Sequence, residues 1–463
     1  MSPTNLGACD ESIRSGLLPI FAAACAITLF LVYRLLRPGR SRMYLRPSLQ
    51  LSYLAYFWIY HWIAVPVYLM PWYCNEHASY TLLGARESLY GLLGFGLGAV
   101  LVPYVVKARP VLLAHPPEIP AATRHSLLTL GIAFTILGTW SAGAPGLQAL
   151  LGGVKSTTIV AVMLSIWAAA SKRDYRTMLK WLGLSVVFPF FTIVSSGFLG
   201  FGIQSLAPIA IFTITCIPPK NFKRFIVPAI LAGYLGLSLY VTYMRDRFEI
   251  RRTVWGNEAY SSRLGQLGKT ISEFDWFSMY NPRHLDLIEA RLNQNFLVGA
   301  SVVYIENTKV WAAGKTLWNA ALAFIPRVLW PDKPSNSGGD LVSQYTGIQF
   351  AYGTAVGIGQ VMEFYVNFGS GMVFLGFLIF GGVLSWLDSA ASIALANGEF
   401  HRFVVVYLVG LSMQQLGGSL MEVIGSIAGS LVLSFILRTI IAEPGRPRRR
   451  PQKQPARLVT VER

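Results

Sequence analysis

Leu17-Leu-Pro-Ile-Phe-Ala-Ala-Ala-Cys-Ala-Ile-Thr-Leu-Phe-Leu-Val-Tyr-Arg-Leu-Leu36 decides what kind of molecule this is. A helix rises about 1.5 Å per residue, so about 20 apolar residues cover the hydrocarbon core of a bilayer. This run has that reach, and its one charge, Arg34, sits near its end. The small residues Ala22-Ala-Ala-Cys-Ala26 invite a signal-peptide reading. The leading segment, however, sets Asp10 and Glu11 against Arg14, whereas a secretory signal starts positive. The positive charges follow instead, at Arg34, Arg37, Arg40, Arg42 and Arg46, which predicts a retained helix with its N-terminus outside.

Working outward, the same length criterion finds apolar stretches near 49–70, 87–106, 126–140, 157–171, 181–199, 201–217, 225–244, 370–390, 403–418 and 420–441, for about eleven transmembrane helices in all. Composition agrees: 53% of residues are hydrophobic and 13% charged, where average soluble proteins carry roughly a quarter charged. Basic clusters recur at alternate connections: Arg37 to Arg46, Lys107 with Arg109 and Arg124, Lys172-Arg173 with Arg176 and Lys180, Lys220 with Lys223-Arg224, and Arg446 to Arg457. The intervening short loops hold chiefly Arg86 and Lys155. By the positive-inside pattern the clustered side is cytoplasmic. The chain then reads as an all-α, multi-pass integral membrane protein of the cytoplasmic membrane, N-terminus outside and C-terminus inside. Its parts are an N-terminal transmembrane bundle of about eight helices over 1–244, an outer loop with interfacial helices over 245–369, C-terminal transmembrane helices over 370–442, and a basic cytoplasmic tail over 443–463.

Several function classes fall away. The formal charge of +17 could suggest nucleic acid, but the basic residues lie in short clusters between apolar runs, and no RNA-binding aromatic signature, zinc-finger spacing or basic zipper is present. No nucleic-acid partner is expected. The tail Glu443-Pro-Gly-Arg-Pro-Arg-Arg-Arg-Pro-Gln-Lys453 reads as attraction to anionic lipid heads. Gly91-Leu-Leu-Gly-Phe-Gly-Leu-Gly98 mimics a dinucleotide fingerprint, but it lies in an apolar span with no preceding strand. Small residues that let helices approach closely are the better reading. No Walker sequence occurs. The four cysteines form no C-x-x-C pair: Cys25 and Cys216 read as apolar membrane residues, while Cys9 and Cys74 both fall outside, where a disulfide between them is permitted. The first outer loop offers only Glu76-His77 and Glu87, and His284 is the only histidine in the large loop, so no metal and no cofactor are expected.

Chemistry concentrates in the long polar interruption before Gly371. It opens with Arg245-Asp-Arg-Phe-Glu-Ile-Arg-Arg252, which reads either as a solvated helix end or as a contribution to capturing an anionic substrate. Aromatic residues Trp255, Tyr260, Phe274, Trp276, Phe277 and Tyr280 follow, interleaved with Glu258, Glu273 and Asp275, a mixture that suits either glycan faces or a membrane-interface belt. From Lys309 to Ile325, Trp311, Trp318, Leu322 and Ile325 recur at helical spacing in a segment suited to the interface. Then come three stations: Arg291-Leu-Asn-Gln-Asn295, Ile325-Pro-Arg-Val-Leu-Trp-Pro-Asp-Lys-Pro334 and Glu363-Phe-Tyr-Val-Asn-Phe-Gly369. Guanidinium forks bind phosphate oxygens bidentately and keep their charge, so fixed arginines beside a bilayer suit a lipid-linked phosphate. Glu363, a carboxylate near hydrocarbon, reads either as an ion-pair partner of Arg327 or Lys333 or as a base. Glu422 and Gln414-Gln415 fall under the same suspicion, near the outer ends of the last two spans.

These stations, in this order, resemble the O-antigen (Wzy-type) repeat-unit polymerases of bacterial envelopes. The resemblance is specific over about 80 residues and loose over the rest. It implies a glycosyltransferase-C-like body and polymerisation of undecaprenyl-diphosphate-linked oligosaccharide units into O-antigen or exopolysaccharide, at the outer face of the bacterial cytoplasmic membrane; the sparse acids and histidines of the outer loops make a metal-independent reaction the expectation. The implied partners are a lipid-linked glycan donor and acceptor, with a chain-length regulator beside them. Glu363, Arg291 and Arg327 are the expected catalytic residues, and Lys333, Asn295, Asp275 and Asn367 the expected substrate contacts. A lipid-linked oligosaccharide or polysaccharide transporter and an O-antigen ligase are the alternatives, the former disfavoured because no internal repeat is seen.

Overall fold

The computed structural model describes residues 11–36, 48–105, 118–140, 145–217, 223–325, 330, 338–350 and 356–440, and among these it contains helices and no strand. The first half comprises α1 (Glu11–Leu36), α2 (Ser48–Phe57), α3 (Val65–Leu69), α4 (Ala78–Val105), α5 (Ala121–Trp140), α6 (Pro145–Ser171), α7 (Tyr175–Ser185), α8 (Val187–Ser196) and α9 (Leu199–Cys216). The second comprises α10 (Lys223–Trp255), α11 (Tyr260–Ser272), α12 (Pro282–Leu292), α13 (Gln294–Thr308), α14 (Lys315–Ala321), α15 (Gly338–Thr346), α16 (Gln360–Ala396), α17 (Phe400–Ser412) and α18 (Leu420–Ile440).

Helix occurs in every apolar stretch named above. Among the described residues, 7 helices, not eleven, are long and apolar enough to cross a membrane: Glu11–Leu36, Ala78–Val102, Tyr175–Ser196, Leu199–Cys216, Ile226–Trp255, Gln360–Ala396 and Leu420–Leu437. Ser156–Ser171 and Phe400–Ser412 are apolar but shorter. The stretch at 49–70 is broken. A π-helical turn over Trp58–Trp62 separates α2 from α3, and Pro66 stands at the start of α3. A proline is tolerated there because the first-turn N–H groups have no intrahelical acceptor.

Three expected loop residues lie inside helices. Arg86 and Glu87 belong to α4, and Lys155 belongs to α6. The polar interruption is itself folded: α10 runs on to Trp255, and α11 to α15 occupy much of the remainder.

The α4–α16 pair forms the centre. A Cβ at Gly94 would stand 2.2 Å from the Phe374 carbonyl oxygen, and one at Gly98 2.0 Å from that of Leu378. The two backbones therefore pass closer than any side chain allows, as the run Gly91 to Gly98 predicts. Aromatic rings fill the space beside this contact, with Tyr53 stacked on Phe95 at 5.1 Å and Phe57 edge-on to Phe377 at 5.2 Å. Further along α16, buried Asp388 accepts hydrogen bonds from the Ser48, Leu49 and Gln50 amides at 3.1, 3.0 and 2.9 Å. A helix leaves its first N–H groups unsatisfied, so a carboxylate from another helix serves α2 as its cap.

Within α16, Phe368 and Gly369 leave helical geometry, and Gly369 takes φ 71 and ψ −162, a conformation open in practice only to glycine. The break separates a short arm, carrying Gln360, Glu363 and Asn367, from the long apolar remainder.

Candidate functional site

The run Arg245 to Arg252 sorts its charges by helix face. Residues 245, 249 and 252 fall on one side of α10 at about 100° per residue, and residues 247 and 251 on the other. On the first side the charges are paired: Arg245 lies 2.8 Å from Asp246, and Arg252 lies 2.7 Å from Glu249. On the second, half-buried Arg247 faces Arg291, from the last turn of α12, and Arg251, and their positive charges bear on one another. Among the described residues neither Arg247 nor Arg291 has a carboxylate at ion-pair distance. Gathering three guanidinium groups without a counter-charge costs energy, and an anionic ligand would offset that cost.

Local structure holds the cluster in place. Gly197 ends α8 in the left-handed conformation, and its carbonyl accepts from the Tyr243 hydroxyl at 2.7 Å and from Arg251 Nε at 3.3 Å. The Arg251 guanidinium also lies over the Phe198 ring, 4.2 Å from its centroid. One turn below Tyr243 and two below Arg247 on the same face, the Tyr240 hydroxyl donates to the Leu287 carbonyl of α12 at 3.3 Å, tying together the helices that carry Arg247 and Arg291.

From Tyr240 the polar strip continues inward. Tyr60, in the π-helical turn, interacts electrostatically with Tyr240 and shares a hydrogen bond with Gln204. Beside Tyr60, the Gln294 amide is wedged between two glycines: a Cβ at Gly359 would stand 2.7 Å from Gln294 Oε1, and one at Gly417 2.9 Å from its Nε2 and 3.2 Å from the Tyr60 ring. Gln294 Oε1 is buried without a hydrogen-bond partner among the described residues. The 413–419 turn that brings Gly417 here is held by α16: the Gln360 amide donates to the Leu416 carbonyl at 3.1 Å, and Gln360 Nε2 to the Gln415 carbonyl at 3.2 Å.

Glu363 and Glu422 meet at the start of α18 with different exposure. Glu363 is 1% exposed, and its Oε2 accepts from the Leu420 amide at 2.6 Å. Glu422 is exposed, pairs with no cation among the described residues, and has its carboxylate beside Gly417's neighbour Gly418. The buried acid therefore fixes the helix start that presents the accessible one.

The other expected residues are distributed as follows. Asn295 is fully buried: its Oδ1 accepts from Ser88 Oγ at 2.7 Å and lies 2.9 Å from His61 Nδ1, while its Nδ2 donates to the His61 carbonyl at 2.6 Å. Asn367 is also buried, with Nδ2 donating to Thr316 Oγ1 at 2.7 Å and Oδ1 accepting from the Gly314 amide at 2.8 Å. Both asparagines join helices and turn no polar atom outward. Asp275 lies 3.1 Å from His284 Nε2, and because His284 Nδ1 accepts from the Ser278 amide, Nε2 carries the proton toward the carboxylate. Arg327 and Lys333 lie outside the described residues, as do Pro326, Pro331 and Pro334. Of the expected site residues that the structure describes, Arg291 alone joins the cationic strip. Arg247, Arg251, Tyr240, Tyr60 and Gln294 complete it. Spacing could reveal Arg247 and Arg251 as neighbours, but nothing local marks Tyr60.

Behind Arg291 on α12, Glu289 points the opposite way, as expected for positions two apart. Glu289 Oε1 lies 2.9 Å from His77 Nδ1 and accepts from the Tyr68 hydroxyl at 2.9 Å and Asn293 Nδ2 at 3.2 Å. Burial raises the Glu289 carboxyl, but the bonds from His77, Tyr68 and Asn293 outweigh it and hold the group below its ordinary value. Hydrogen bonding to Glu289 in turn holds His77 above its own, against the effect of burial. Nearby Cys74 is disulfide-bonded, whereas Cys25 and Cys216 are in no disulfide; Cys9 lies outside the described residues. Among the described residues no group of three or more His, Cys, Asp and Glu is close enough to hold a metal ion.

Residues 118–443 match the family model described as a domain of unknown function (DUF8712), and the chain belongs to that family. The match takes in Arg247, Arg251, Arg291, Gln294 and Glu422 and leaves out Tyr60. No curated protein and no solved structure matches the chain.

Proposed function

We propose that this membrane protein lengthens a glycan carried on a lipid diphosphate, as a repeat-unit polymerase acting at the outer face of the bacterial cytoplasmic membrane. The observation that carries the reading is the convergence of Arg247, Arg251 and Arg291 at the end of an apolar helix, with no carboxylate partner for Arg247 or Arg291 among the described residues. A phosphate-bearing lipid matches that surroundings twice, in its charge and in its tail.

In the reaction, a hydroxyl oxygen of the acceptor unit attacks the anomeric carbon of the donor glycan. The bond from that carbon to the diphosphate oxygen breaks, its electron pair leaves with the diphosphate, and the hydroxyl proton passes to a carboxylate. Diphosphate is a good leaving group, so the protein's task is to neutralise the charge that develops on it and to orient the acceptor. Arg247 and Arg291 supply the charge, and Arg251, fixed on the Gly197 carbonyl and the Phe198 ring, supports them. Glu422 is the proton acceptor. Glu363 acts through Glu422 as a positioning residue.

The test is purified protein in lipid nanodiscs given lipid-linked oligosaccharide units and no nucleotide, with products separated on a gel. The reading expects a ladder of longer glycans. Transfer of intact units across a liposome membrane without any lengthening would overturn it in favour of transport.

A further inference from the structure

On the opposite side of α12 from the arginines, a cleft of about 580 Å³ opens between the start of α4, one face of α13 and the end of α15. Its walls carry three aromatic rings, Tyr80, Phe296 and Tyr304, with the polar groups of Glu76, His77 and Asn307 around them. Phe296 is stacked under the His77 ring with centroids 3.8 Å apart, and Tyr80 meets Phe296 edge-on at 5.8 Å. The Tyr80 and Tyr304 hydroxyls and the Asn307 amide have no intramolecular hydrogen-bond partner among the described residues. Among the described residues no lysine or arginine lines the cleft.

This chemistry differs from that of the cationic strip. Flat apolar rings flanked by open hydroxyl and amide groups suit a ligand with alternating C–H faces and hydroxyls, and an anion would meet the Glu76 and Glu289 carboxylates that already flank the His77 imidazole at 4.0 and 2.9 Å. The cleft is also preorganised: the bond between His77 and buried Glu289 holds the His77 ring, and with it the stack on Phe296. Since α12 presents Glu289 toward the cleft and Arg291 toward the strip, one short helix separates the two.

We propose that this cleft binds an uncharged stretch of oligosaccharide and serves as the acceptor-glycan subsite, an assignment that rests on the polymerase reading for its role though not for its ligand class. The test uses the fluorescently labelled full chain in nanodiscs, applied to an array of bacterial surface-polysaccharide fragments, both uncharged and acidic. Wild type is expected to retain one or more uncharged fragments. Tyr304→Ala should weaken that capture by about tenfold or more, the scale of losing one ring face. Asn307→Lys, at an exposed rim position where folding is not at stake, should weaken it as well. Capture of no fragment, capture of acidic fragments alone, or capture unchanged in both variants would overturn the assignment. Farnesyl diphosphate binding, measured on the same preparations, reports the arginine strip separately: its absence in wild type would count against the polymerase reading, while glycan capture lost in Tyr304→Ala would still uphold the cleft.

Discussion

Arg247 on α10 and Arg291 on α12 set two like charges against each other, although the helices that carry them are already joined through Tyr240 and the Leu287 carbonyl. A contact that served only the fold would pair one of them with a carboxylate, as Arg245 and Arg252 are paired on the other face of α10. Replacing Arg247 with Gln removes repulsion while keeping most of the side chain's length. The stability of the ligand-free protein, read from thermal melts, is therefore expected to hold or rise slightly, by an amount on the order of 0.5 kcal/mol. A clear fall would mean that Arg247 has a structural partner.

The two acids at the start of α18 should respond differently to the same change. Glu363→Gln retains an oxygen for the Leu420 amide, so polymerisation is expected to stay within about tenfold of wild type. Glu422→Gln removes the proton acceptor and should cost about 10² to 10⁴ in rate. Rates reversed between the two variants would return the base to Glu363.

The His77–Glu289 bond predicts a stability window. Glu289 is held below its ordinary 4.5, so its contribution is present above that value and is lost as pH falls through the lowered one. His77 is held above its ordinary 6.5, so its contribution is full below 6.5 and is lost as pH rises through the raised value. The pair therefore stabilises most between about pH 4.5 and 6.5. Thermal melts of wild type and His77→Gln across pH should differ most in that range and converge above it. A constant difference at all pH values would refute the linkage.

Asp388 offers a test of the fold. Asp388→Ala leaves the Ser48, Leu49 and Gln50 amides without their acceptor in a buried setting and should cost about 3 kcal/mol or more, while Asp388→Asn, which keeps one oxygen, should cost less. Equal melting temperatures for all three proteins would show that α2 is capped in some other way.

Much of this architecture was legible from local patterns. Apolar runs of spanning length announced their helices, and the spacing of Gly94 and Gly98 announced the close approach to α16. The reading failed where a charge sat inside a helix. Arg86 and Glu87 look like loop residues in sequence, yet they lie in α4, with Arg86 half-exposed and 3.6 Å from a fully buried Glu87. The stretch at 49–70 has a spanning length and conceals a π-helical turn, because composition carries no trace of a change in hydrogen-bond register. At the site, Arg291 stood out, and the face shared by Arg247 and Arg251 follows from their spacing of four. Their meeting with Arg291, and Tyr60's place between Tyr240 and Gly417, depend on tertiary packing across long separations in sequence. Glu363 drew notice as a carboxylate near an apolar span and Asn367 through the resemblance, and the burial of both reflects helix joining.

The central claim is that Arg247 and Arg291 neutralise a departing lipid diphosphate, and the rate of glycan lengthening by Arg247→Ala and Arg291→Ala tests it most directly. Each variant, folded and inserted as wild type is, should lose about 10² to 10³ in rate with lipid-linked units in nanodiscs. The corresponding lysine variants should recover only part of it, because a point charge replaces a two-donor fork. Rates within about twofold of wild type for both alanine variants would contradict the account.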